Sequence, residues 1–201
     1  IKTIELNARS NAVGFYQELG YANGGYSHTL YGDVEHVKMT KSISHANEHL
    51  IHNAVDLQQL WHETIPLSKA MNINICYFDE QKLLTSCEPS FNKNLHNTMF
   101  AGSIYTLATL TGWAWVYFLL QKQTYHADIV LAEGSIRYVA PLEGIAHAQT
   151  TLNLITGNTE PLIAGKNARF NIDVEVCCGD KVAALFSGSY VAIAKRNEQG
   201  G

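Results

Sequence analysis

A chain of 201 residues with 46% hydrophobic side chains is long enough for one generous core, or for one domain and a fragment of another. Fourteen basic against eighteen acidic side chains give a net charge of −4 with no basic block, which excludes the clustered phosphate contacts that nucleic acid requires. The four cysteines, Cys76, Cys87, Cys177 and Cys178, have neither CxxC nor zinc-ligand spacing and read as reduced thiols of a cytoplasmic protein.

Ile1-Lys2-Thr3-Ile4-Glu5 has no apolar signal core and no initiator Met, so the chain is expected to begin inside a longer polypeptide. A short strand comes first, then a helix over Asn11–Leu19 stopped by Gly20. Asn23-Gly24-Gly25 is expected as a turn, with a strand around His36–Lys41 after it. Residues 44–64 have the spacing of an amphipathic helix, with Leu50, Val55, Leu57, Leu60 and Trp61 apolar and Ser44 as N-cap. Pro66 forces an exit. Ala70–Phe78 and Lys82–Pro89 are expected strands, joined by the turn Asp79-Glu80-Gln81.

From Asn94 to Gln121 the chain carries no Asp, Glu, Lys or Arg. Length alone allows a membrane span there. The run contains His96, Ser103, Thr106, Thr109 and Thr111 and lacks a flanking basic cluster. A helix buried in a folded domain, Met99–Leu120, fits better, and no membrane span is expected. Strand-like runs follow near Asp128–Ala140, Gly144–Leu154, Ala168–Cys178 and Lys181–Ala194. Pro141-Leu142-Glu143-Gly144 and Gly179-Asp180 are expected as tight turns between members of these pairs. Strands, one long apolar helix and an antiparallel meander make an α+β domain whose sheet curls around its helix.

The local motifs carry a resemblance. Asn94-Leu95-His96-Asn97-Thr98-Met99-Phe100-Ala101-Gly102 is similar to the Asn-x-x-Gly-Thr-x-His-Gly-Gly entry of the helix in hotdog-fold thioesterases. Gly134-Ser135-Ile136-Arg137-Tyr138-Val139-Ala140-Pro141-Leu142-Glu143-Gly144 looks like the central hotdog strand and its turn. Together they imply the hotdog fold, an antiparallel sheet around one long helix. Leu6-Asn7-Ala8-Arg9-Ser10-Asn11-Ala12-Val13-Gly14-Phe15-Tyr16-Gln17-Glu18-Leu19-Gly20-Tyr21 resembles the last helix of GNAT acetyltransferases. That resemblance implies Asn7 and Tyr16 as positions that approach acetyl-CoA, although the pyrophosphate-binding segment of such domains is absent from these residues. A GNAT tail before a hotdog domain resembles the YiiD-type family. The expected boundaries are 1–42 for the GNAT-like fragment and 43–201 for the hotdog domain.

Thioester hydrolysis needs a polarised carbonyl, an activated water and a slot for the acyl chain. Unpaired N–H groups of Ala101, Gly102 or Ser103, at the positive end of the helix, are candidates to hold the oxyanion. Gly102 admits close approach, or merely permits packing. The resemblance implies a His at Phe100 and a carboxylate at Thr109, and both are missing. Asn94, as a group that positions water or carbonyl, and His96, as a base, remain near the site. Thr109 could bind a water, and Thr98 is the expected helix N-cap. Asp128, Glu133 and Arg137 follow on the next strand, where a partner copy could supply a carboxylate.

The expected substrates are acyl thioesters of CoA or acyl carrier protein. CoA or phosphopantetheine would be part of the substrate, with no permanently bound cofactor. A non-catalytic acyl-binding or dimerisation module serving a fused GNAT domain is the alternative. A homodimer or higher homo-oligomer is expected in both cases. His45-Ala46-Asn47-Glu48-His49, extended by His52, fits the H-x-x-E-H pattern, yet no third ligand follows and no metal is expected.

Overall fold

The computed structural model describes residues 2–30, 34–43 and 45–195, the side chains of Lys2 and residues 42–52 excepted. The chain forms two compact units, Ile1–His52 and Asn53–Gly201.

The first unit is an antiparallel sheet of order β1-β3-β2, built from β1 (Lys2–Arg9), β2 (Ala22–Leu30) and β3 (Val34–Ile43). A turn of 3-10 helix leads into α1 (Val13–Glu18), which ends before Gly20 as expected. Lys41 Nζ donates to the Leu19 carbonyl at 2.6 Å and ties the helix end to β3. Ala8, Leu19 and Met39 are buried here. The turn expected at Asn23-Gly24-Gly25 is instead part of β2. Its register against β3 slips between Asn23 and Tyr26, and Asn23 Oδ1 accepts the Gly25 N–H at 2.8 Å. Turn-forming residues here make a bulge, which uses the same left-handed backbone, φ +91° at Gly25.

α2 (His45–Thr64) spans the boundary, and its part in the second unit buries Ala54, Leu57 and Trp61, while Val55 and Leu60 face solvent. The N-cap expected at Ser44 lies outside the described residues. Pro66 starts α3 (Pro66–Ala70) rather than a strand, because a missing N–H costs nothing at the first helical position. Asn72 then turns the chain at φ +53°, and β4 (Asn74–Phe78) begins only there. That corrects the strand expected from Ala70.

The large sheet has the order β4-β5-β7-β9-β10-β6, with β5 (Lys82–Cys87), β6 (Ala127–Tyr138), β7 (Ala146–Thr151), β9 (Ala168–Cys178) and β10 (Lys181–Ala194). Short β8 (Ile155–Gly157) pairs with β9, and α5 (Glu160–Ile163) follows it; neither was expected. Most of the charge-free run, from Ala101 on, forms α4 (Ala101–Lys122). It is apolar enough to cross a membrane by length and composition, yet most of it is buried in the core of this unit. Alternate residues of β9 and β10 supply the inner face of the sheet, among them Phe170, Ile172, Val174, Phe186 and Tyr190. The α+β hotdog arrangement is therefore present.

One expectation about connectivity is corrected. Gly179-Asp180 does close the β9–β10 hairpin, with Cys178 opposite Lys181. Pro141–Gly144 does not close a hairpin, since β6 pairs with β10 and β7 pairs with β5 and β9. The segment carries the chain across the end of the sheet. Buried Leu142 anchors it, and the Leu142 carbonyl accepts the Met99 N–H at 2.8 Å. The crossover thereby meets the entrance of α4.

Candidate functional site

The entrance of α4 is held by a stapled loop. Asn92 is buried, and its Nδ2 donates to the carbonyls of Met71 at 3.0 Å and Glu88 at 2.7 Å. The Asn92 carbonyl accepts the Phe100 N–H at 2.6 Å. Asn94 closes the loop above it: Nδ2 donates to Thr98 Oγ1 at 2.9 Å and Oδ1 accepts the His96 N–H at 2.8 Å. Asn97 sits at φ +59° where the hotdog pattern has Gly, a conformation that Asn tolerates better than other side chains. Thr98 is not the N-cap that was expected. Its hydroxyl is engaged by Asn94, and Phe100 occupies the cap position with no side-chain cap.

The consequence is a set of free donors. The Phe100 carbonyl takes the N–H groups of Ser103 at 3.0 Å and Ile104 at 3.1 Å. The N–H groups of Ala101 and Gly102 have no partner among the described residues. A Cβ at Gly102 would collide with the Phe100 ring, so this glycine lets the ring lie against the first helical turn.

Two further side chains complete the entrance. Tyr138, at the end of β6, donates from its hydroxyl to the Ala101 carbonyl at 2.9 Å. Tyr105 lies one turn beyond Gly102 on the same helix face, edge-on to Phe186 at 5.3 Å between ring centroids. Its hydroxyl packs on Gly134 of β6, where any Cβ would collide with it, and donates to nothing among the described residues. Burial, and then the neighbouring Tyr105, push the phenols of Tyr138 and Tyr190 up.

The residues singled out from sequence fall in different environments. Asn94 is half-buried and committed to the loop, and His96 is exposed with no side-chain hydrogen bond among the described residues. Gly102 is at the free donors. Thr109 lies two turns deeper; its Oγ1 is buried without a partner, and its carbonyl accepts the Tyr190 hydroxyl at 2.8 Å. Asp128, Glu133 and Arg137 are exposed on β6, and Asp128 pairs with Lys195 at 3.2 Å. In the first unit Asn7 is exposed on β1 opposite Lys38. Tyr16 packs edge-on against Phe15 and Tyr21. The side chains of His45, His49 and His52 lie outside the described residues.

Sequence reasoning missed Asn92 and Tyr105. Neither carries a local signal, because the groups that define their roles are Met71 and Glu88 for one and Gly134 and Phe186 for the other. All four cysteines are free, and burial pushes Cys87 up to about 12 and the other three upward. The rim of the entrance is apolar and open: Leu95 is 99%, Phe91 82% and Phe100 55% exposed.

A sequence profile described as putative thioesterase (YiiD C-terminal) matches residues 54–194. The chain belongs to the YiiD C-terminal putative thioesterase family. A putative thioesterase from Shewanella oneidensis is 39% identical, with a TM-score of 0.68 over 71% of this chain and 98% of its own. Two more distant structures share the fold. A Pseudomonas aeruginosa protein of unknown function, described as a probable thioesterase, is 18% identical with TM-score 0.56, covering 70% of this chain and 96% of its own. The E. coli PaaI protein of the phenylacetic acid degradation operon is 18% identical with TM-score 0.50, covering 71% and 95%. The family match begins inside α2, so residues 1–53 lie outside it.

Proposed function

We propose that the protein hydrolyses acyl thioesters of CoA or acyl carrier protein at the entrance of α4. The observation that carries this reading is the pair of unpartnered N–H groups of Ala101 and Gly102 at the positive end of a 22-residue helix. Water adds to the thioester carbonyl, and the oxyanion that forms is held by these two donors. The C–S bond then breaks, releasing a carboxylate and a free thiol; one proton of the water goes to the thiolate and the other to solvent. The Tyr105 hydroxyl, on the same face and without a partner, is a third donor to the oxyanion. CoA or phosphopantetheine enters only as the substrate's carrier. The acyl chain would lie along the apolar rim of Phe91, Leu95 and Phe100.

A second copy of the chain fits the same picture. β6 is an edge strand that exposes Val130 and Tyr138, and Val139 follows it, so self-pairing would cover it. The free thiols fit a reducing, cytoplasmic compartment. Asn7 and Tyr16 belong to the GNAT-like part, and their acetyl-CoA role requires the remainder of such a domain.

The non-catalytic alternative has its own support. Thr109 stands where a hotdog carboxylate is expected, and its hydroxyl is sealed from solvent. A panel of acyl-CoA and acyl-carrier-protein thioesters of graded chain length, followed by free-thiol release, separates the two. Turnover that falls about 100-fold in Tyr105→Phe with KM held is the expected result, as for removal of one oxyanion donor. Tight acyl-CoA binding without thiol release would instead establish the binding module.

A further inference from the structure

The first unit holds a pair of histidines that the thioesterase reading does not use. His28 on β2 and His36 on β3 are direct register partners, so both side chains leave the same face of the sheet. Their rings stack in parallel, 4.7 Å between centroids and 3° between planes. A register shift between Tyr26 and His28 creates this alignment, because the extra residue in β2, Ser27, brings His28 opposite His36.

The hydrogen bonds fix which nitrogens remain. His36 Nδ1 lies 3.1 Å from the Val34 carbonyl, which can only accept. In the neutral ring Nδ1 therefore carries the proton and Nε2 carries the lone pair. His28 Nδ1 is 2.9 Å from Ser27 Oγ, a hydroxyl able to accept in the same way. An imidazole whose Nδ1–H is held by an oxygen, with Nε2 left to coordinate, is the arrangement that outer-shell groups impose on metal-binding histidines.

We infer that His28 and His36 form a two-imidazole site for a divalent transition-metal ion, bound through both Nε2 atoms. Metal–nitrogen bonds of about 2.0–2.1 Å need an ion lying in the plane of both rings, so the parallel rings must turn out of their stack, about χ1 and χ2, when the ion binds. Among the described residues no group of three or more His, Cys, Asp or Glu side chains converges, so water fills the remaining positions. The chemistry of the donors selects the ion. Calcium and magnesium need oxygen ligands, whereas imidazole suits copper, nickel and zinc, with Cu²⁺ strongest.

The test uses the full chain and Cu²⁺. Titration should show one tight equivalent whose electron paramagnetic resonance spectrum carries hyperfine structure from two nitrogens. His28→Gln and His36→Gln should each abolish that equivalent. Unchanged binding in either variant overturns the inference. A second measurement needs no variant: substoichiometric Cu²⁺ should broaden the ring resonances of His28 and His36 before those of the other histidines. Prior broadening elsewhere overturns the site as well. Neither outcome depends on thioester turnover.

Discussion

Thr109 carries a hydroxyl that has lost water and gained nothing. Its Oγ1 is buried without a partner, so the folded state bears a desolvation penalty that a methyl group would not. Thr109→Val keeps the shape and removes the penalty. We expect the urea midpoint to rise, by a stabilisation of about 1–2 kcal/mol. A fall would mean that a partner reaches the hydroxyl in solution. His147 on β7 makes a different prediction. Burial lowers its pKa below the ordinary 6.5, so between the two values the unfolded chain binds more protons than the folded one. Stability from this group is therefore complete above about pH 6.5 and declines as pH falls through that window. Urea titrations at about pH 7.5 and 5.5 should show a smaller loss in His147→Gln than in the unsubstituted protein. Equal losses would remove His147 as the source.

At the scale of elements, α4 is fitted to the sheet by glycine. Gly112 faces the Tyr190 ring so closely that any Cβ would collide with it, and Tyr190 is fully buried with its hydroxyl bonded to Thr109. Helix propensity alone would make Gly112→Ala stabilising by about 1 kcal/mol. Overpacking against an immobile ring costs about 1–3 kcal/mol, and we expect this effect to win. A raised midpoint in Gly112→Ala would show that the ring yields. The helix itself is legible in sequence because 28 residues without charge need burial, and β9 and β10 are legible through their alternation. Strand order is not. Pro141-Leu142-Glu143-Gly144 has the chemistry of a hairpin turn, and only the wrapping of the sheet around α4 turns it into a crossover. The same ambiguity made a bulge at Asn23-Gly24-Gly25 look like a turn. At the site, motif spacing led to Asn94 and Gly102. Tyr105 and Asn92 depend on side chains and carbonyls distant in sequence, which no local pattern encodes.

At the scale of the whole molecule, the core is unevenly distributed. Every member of the hydrophobic core cluster lies between Ala54 and Ala192. The first unit buries only Ala8, Leu19 and Met39 among the described residues. Stretches near 40 residues seldom bury enough surface to fold without a metal, a disulfide or a partner. Residues 45–201 should accordingly unfold in one cooperative urea transition with the midpoint of the full chain's main transition. Residues 1–44 alone should show the narrow amide dispersion of an unfolded peptide. A truncated 45–201 chain that loses its cooperative transition would place part of its stability in the first unit. Should the shorter peptide fold unaided, three buried side chains would be enough for that sheet, and its stability would have to come from strand pairing instead.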